Sequence, residues 1–187
     1  MKIQSTLVRM TPEQAMELAA RENRGLLGKL ADKVKGAPPE ITVQGVQLFY
    51  YPLCVGGGVL SFPRAAHLPS RRIVSLAVVD CAFGYAQRMQ GRPALKETAA
   101  EASQVVKRRL NDAAAREKLA SFMRKQGYRK YRAIAEVEFK EFYLVYKPHY
   151  VCQCKRGTRE FQRVIDAEIG QRDFMLDVKY RELTFEN

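Results

Sequence analysis

The chain predicts an α+β fold made of two tandem helix-plus-antiparallel-sheet units related by a pseudo-twofold internal duplication. Three observations carry this. Tyr-x-Pro occurs as Tyr50-Tyr51-Pro52 and again as Tyr146-Lys147-Pro148. Asp-x-x-x-Gly closes an apolar run as Asp80 to Gly84 and again as Asp166 to Gly170. Each pair of motifs flanks a segment that reads as a β-hairpin, and a helix-forming stretch stands before it. A repeat of roughly 90 residues means two small modules and not a solenoid. The expected boundaries are residues 1–91 and 92–187, packed as one compact unit because a small module buries little surface alone.

Thr11-Pro12-Glu13 opens the first helix. Threonine accepts a free backbone N–H, proline fits the first helical position, and glutamate complements the helix dipole. Ala15, Ala19, Leu26, Leu27, Leu30 and Val34 fall near one helical stripe, which predicts a helix ending near Lys35-Gly36. Ile41 to Val55 is rich in β-branched and aromatic residues and predicts a strand. Gly56-Gly57-Gly58 reads as a flexible turn. It lacks a following Gly-Lys-Ser/Thr, so it is not a phosphate loop. Pro63 to Ser70 reads as a loop and Arg71 to Asp80 as a strand.

In the second copy, Thr98-Ala99-Ala100-Glu101 has capping-box spacing and aligns with Thr11-Pro12-Glu13-Gln14, so a helix is expected from there to about Gly127. Tyr128 to Cys154 reads as a long β region. Arg159 to Asp166 is its return strand, and Phe174 to Phe185 a closing strand.

The repeated motifs have local structural work. An aspartate after a strand accepts turn N–H groups, and glycine takes a positive φ, so Asp80, Gly84, Asp166 and Gly170 are expected turn residues. The opening helix with Ala15 and Ala19, the hairpin, and Val79-Asp80-x-x-x-Gly84 with Ile165-Asp166-x-x-x-Gly170 resemble the PepSY module of bacterial proteins. The resemblance implies a binding or regulatory domain without chemistry of its own. It supplies no active-site residue.

Of the formal charge of +12, the stretch from Gln104 to Arg132 carries +8, with ten Lys or Arg against Asp112 and Glu117. A concentrated positive field points to an anionic partner. The candidate polyanion contacts are Lys107, Arg108, Arg109, Arg124, Lys125, Arg129, Lys130 and Arg132. Tyr128 and Tyr131 stand among them as aromatics able to stack on bases. The main expectation is nevertheless a non-catalytic binding or scaffold protein. It would recognise a protein or peptide, or self-associate, through sheet surface with Tyr50 and Tyr146 as aromatic anchors. Nucleic acid is the alternative partner.

No catalytic constellation emerges. Ser61 and Ser75 lack a Gly-x-Ser-x-Gly setting, and His67 has no cysteine near it in sequence. Cys152 and Cys154 face one side of a predicted strand and could meet Cys54, Cys81 or His149 around an ion. Their spacing falls outside the usual zinc knuckle, so free thiols are expected, with no metal or cofactor. The start of the sequence shows no apolar run of signal-peptide length. No apolar stretch of membrane-spanning length occurs, so a cytoplasmic protein is expected.

Overall fold

A computed structural model describes residues 1–21, 40–64 and 67–187. Strands predominate over helices. The chain runs β1 (Lys2–Thr6), α1 (Pro12–Ala20), β2 (Ile41–Phe62), β3 (Arg71–Asp80), β4 (Ala86–Arg88), β5 (Leu95–Ala99), α2 (Asp112–Tyr131), β6 (Glu136–Arg156), β7 (Arg159–Asp166), β8 (Gln171–Arg172) and α3 (Phe174–Lys179). Single 3-10 turns occupy Ala102–Gln104 and Tyr180–Glu182. The expected continuation of the first helix through Leu26, Leu27, Leu30 and Val34 lies outside the described residues. No described helix is long and apolar enough to cross a membrane.

The chain forms two compact units, each discontinuous in sequence. The first takes Met1–Thr6, Tyr51–Tyr146 and Thr184–Asn187. Its strands lie in the order β4-β3-β2-β6-β1-β5; β1–β5, β2–β3 and β3–β4 pair antiparallel, and β1 runs parallel to β6 at Ser5 and Tyr146. The three-residue β4 and the five-residue β5, with Lys96 and Glu97, hold the edges. α2 covers one face of this sheet. Ala115, Leu119 and Met123 are fully buried there against Cys54, Leu60, Phe62 and Val79. Each such leucine or methionine contributes about 2 kcal/mol by leaving water.

The second unit takes Leu7–Tyr50 and Lys147–Leu183. Here the end of β6 pairs with β7, and β7 with β8. α1 rests on this sheet through Ala15 and Ala19, which meet Tyr150, Cys152, Ile165 and Ala167. Thr11 and Gln14 cap α1 reciprocally, with the Gln14 N–H donating to Thr11 Oγ1 at 3.3 Å and the Thr11 N–H to Gln14 Oε1 at 3.0 Å. The Arg163 guanidinium, 7% exposed, donates to the carbonyls of Ala19 and Arg21 at the helix end.

These units overturn the expected fold class. The protein is mostly strand with a mixed sheet, not two tandem helix-plus-antiparallel-sheet units. The first unit takes residues from both 1–91 and 92–187. The reason is the length of β2 and β6, 22 and 21 residues. In the second unit Thr42 Oγ1 donates to the Lys155 carbonyl, and in the first Gly58 lies against Glu138. The start of β2 therefore lies beside the end of β6. The helix before β2 lands on the return strand of β6, and the helix before β6 on the return strand of β2. Two backbone bonds record the exchange. The Arg9 N–H donates to the Ala167 carbonyl at 2.9 Å, and the Arg109 N–H to the Cys81 carbonyl at 2.8 Å.

Local expectations also shift. Gly56, Gly57 and Gly58 are not a flexible turn: they continue β2 in unbroken register with Ala77, Leu76 and Ser75 of β3. They are glycines because neighbours press from several sides. A Cβ on Gly56 would meet Leu119 and Phe139 at 2.9 Å, one on Gly57 would collide with Glu141, and one on Gly58 with the Glu138 carbonyl. Thr98 opens no helix. It lies in β5 opposite Ile3, and its hydroxyl is 2.7 Å from that of Ser5. Phe174 to Phe185 is not a strand either. Asp173 Oδ1 accepts the Leu176 N–H at 2.9 Å and starts α3.

Candidate functional site

α2 positions the basic segment. Asn111 Oδ1 accepts the Ala114 N–H at 2.9 Å as N-cap, Asp112 stands in the first turn, and Arg129 and Lys130 in the last, each complementing the helix dipole. The helix runs past Gly127 to Tyr131 and stops at Arg132, whose φ of 54° is left-handed. Ala115, Leu119, Met123 and Gly127 recur every four residues on the buried face. Gly127 permits close approach to β2, since a Cβ there would lie 2.7 Å from Phe62 Cζ.

The other faces of α2 carry cations. Arg116, Lys118, Arg124, Lys125, Arg129 and Lys130, with Lys107 ahead of the helix and Arg132 at its C-cap, are exposed, and none forms an ion pair with a described residue. Lys118, Lys125 and Arg129, seven and four residues apart, share one flank. That flank borders the β3–β4 turn, where Lys118 Cε is 3.0 Å from the place of a Gly84 Cβ and Arg109 stands 5.5 Å over the Phe83 ring. Arg116 turns away and stacks on Phe142 at 4.1 Å. Arg108 is half-buried and bonded to Asp112 at 2.6 Å.

Where α2 leaves the sheet, a groove of about 330 Å³ opens against β2, β3 and β4. Leu60, Phe62, Ile73, Phe122 and Met123 supply apolar walls, and Arg88, Arg129 and Lys130 are the charged side chains lining it. Arg88 lies opposite Ala77 across the β3–β4 ladder, which puts its side chain on the α2 side. Tyr131 lies beside Phe62 at 4.9 Å and beneath Arg71 at 5.2 Å. The flank thus presents cations to solvent beside aromatic surface.

The remaining candidates are structural in their surroundings. Asp80 Oδ1 accepts the N–H groups of Ala82 and Phe83 at 2.7 and 3.1 Å, and Asp166 Oδ1 those of Glu168 and Ile169 at 2.9 and 3.1 Å. Gly84 and Gly170 take φ of 83° and 68°. The proline carbonyls serve the same turns, Pro52 accepting from the Cys81 N–H and Pro148 from the Ala167 N–H, both at 3.0 Å. The copies differ in one respect: Lys147 Nζ is 2.5 Å from Asp166 Oδ2, whereas Asp80 Oδ2 is buried without a hydrogen-bond partner among the described residues. Tyr50 and Tyr146 are only 4% and 8% exposed, which leaves little surface for anchoring a partner.

All four cysteines are buried free thiols. Cys81 Sγ donates to Cys54 Sγ at 3.0 Å, and that bond together with burial raises the Cys81 thiol well above its ordinary range. Burial, then the neighbouring Cys154, pushes Cys152 up to about 12. Raised thiols are poor nucleophiles, whereas the bond from Cys81 lowers the Cys54 thiol, which burial alone shields. Among the described residues no three His, Cys, Asp or Glu side chains gather to hold a metal ion. His149 is 2% exposed, stacks 5.5 Å from Phe49, and lies 3.8 Å from Asp173. Burial holds its imidazole below the usual range, against the pull of Asp166.

Lys118, Arg88 and Phe122 join the basic flank although sequence reasoning did not single them out. The helical interval from Lys118 to Lys125 and Arg129 was a usable signal. Nothing local announced Arg88, which arrives through strand pairing. No family model, no curated protein and no solved structure matches the chain.

Proposed function

We propose that the protein is a non-catalytic binding module that takes a polyanion, nucleic acid foremost, along the flank of α2. The observation that carries this reading is the row of Lys118, Lys125 and Arg129, exposed and without ion pairs to described residues, running into a groove edged by Arg88 and Lys130. Unpaired cations in a row displace the counterions condensed on the phosphates of a nucleic acid, and that release drives association. Tyr128, 49% exposed, offers an aromatic face beside the cations. Four free thiols suit a cytoplasmic setting.

Anisotropy titration of a labelled single strand over a range of salt tests the reading. About four phosphate contacts predict a slope of log K on log salt near −3. Charge reversal at Lys118, Lys125 and Arg129 together removes most of the affinity. Absence of binding at low salt, or a slope near zero, refutes the proposal.

One observation favours a protein partner as a second reading. Ile169, Phe174 and Val178 of the second unit are 58%, 60% and 79% exposed. Phe174 and Val178 are four residues apart on α3 and share a face. Polar substitution of all three abolishes partner capture on this reading and leaves nucleic-acid affinity unchanged.

A further inference from the structure

We propose that the groove under the end of α2 binds a small amphipathic anion, an aliphatic chain ending in a carboxylate. The proposal differs from nucleic-acid binding in needing the apolar floor of the groove, although the two readings share Arg129 at its rim. About 330 Å³ is at the lower end of what small-molecule sites occupy. That space suits one chain of medium length. Its walls are side chains of Leu60, Phe62, Ile73 and Phe122, which gain by excluding water from an apolar body.

The charge of the occupant follows from the rim. Arg88 comes from β4 and Arg129 and Lys130 from α2, and among the described residues no Asp or Glu lines the groove. None of the three pairs with an acid among the described residues. A cationic ligand would be repelled, and an uncharged one would gain nothing from the guanidinium groups. The carbonyl end of a helix disfavours an anion placed on its axis. The carboxylate is therefore held by side chains, with Arg88 and Arg129 as the bidentate candidates.

Calorimetric titration of the full chain with decanoate below its micelle concentration, decanol and decyltrimethylammonium tests this. Decanoate is expected to bind once per chain, and decyltrimethylammonium roughly tenfold or more weakly. Arg88→Gln with Arg129→Gln should cut decanoate affinity by a similar factor while leaving decanol unchanged. Ile73→Trp, which fills the groove, should abolish binding of both and spare nucleic-acid affinity. No decanoate binding, equal binding of the two charged probes, or full decanoate binding by folded Ile73→Trp overturns the proposal. If Ile73→Trp unfolds, the two exposed arginine substitutions decide alone.

Discussion

Replacing Asp166 by Asn and, separately, Asp80 by Asn sets two like turns against each other. Either asparagine keeps an oxygen that can accept the two turn N–H groups, so the comparison isolates the second carboxylate oxygen. At Asp166 that oxygen meets Lys147 at 2.5 Å, with the side chains 7% and 25% exposed. Breaking a fully buried ion pair costs about 3–5 kcal/mol, and a lysine still reached by water lowers this to about 2 kcal/mol. At Asp80 the oxygen is buried with no hydrogen-bond partner among the described residues, so removing its charge costs at most about 1 kcal/mol. For a chain of this size the midpoint falls about 2–4 °C per kcal/mol. Asp166→Asn should lose about 4–8 °C and Asp80→Asn no more than about 4 °C in a calorimetric scan. A loss at Asp80 equal to or larger than that at Asp166 refutes the account of why the turns differ.

Three further outcomes follow from the packing. Gly58→Ala should destabilise by about 1–3 kcal/mol or more, because its Cβ meets the Glu138 backbone, whereas Gly45→Ala, with nothing within 4 Å, should be neutral or stabilising in urea titration. Stability should decline as pH falls through about 6.5, where His149 of the unfolded chain takes a proton that the buried, folded imidazole still refuses. In that window the unfolded state binds more protons, so acid favours it; His149→Gln should flatten this step, and an unchanged profile counts against it. Iodoacetamide at pH 8 should modify none of the four cysteines in the native protein and all four in denaturant, as burial and the raised Cys81 and Cys152 thiols require. Rapid native labelling at any one of them contradicts the packing described.

What the sequence by itself determined are features whose partners lie within a few residues. Thr11 caps Gln14, Asp80 and Asp166 bind N–H groups two and three positions on, and Gly84 and Gly170 accept positive φ. Strands β3 and β7 likewise begin and end where their own composition says. Tertiary structure decided the rest. Thr98 has the spacing of a helix cap, yet pairing with β1 gives its hydroxyl to Ser5. Three consecutive glycines read as a turn until β3, α2 and β6 press against them and make them the residues that fit. The cations of α2 were legible as a charge run, but the groove needed Arg88 brought across by the β3–β4 ladder. Local hydrogen bonds cost little chain entropy to close and therefore show in short motifs. The pairing of two strands more than twenty residues long joins segments nearly a hundred positions apart, and no short motif encodes which helix will cover which end.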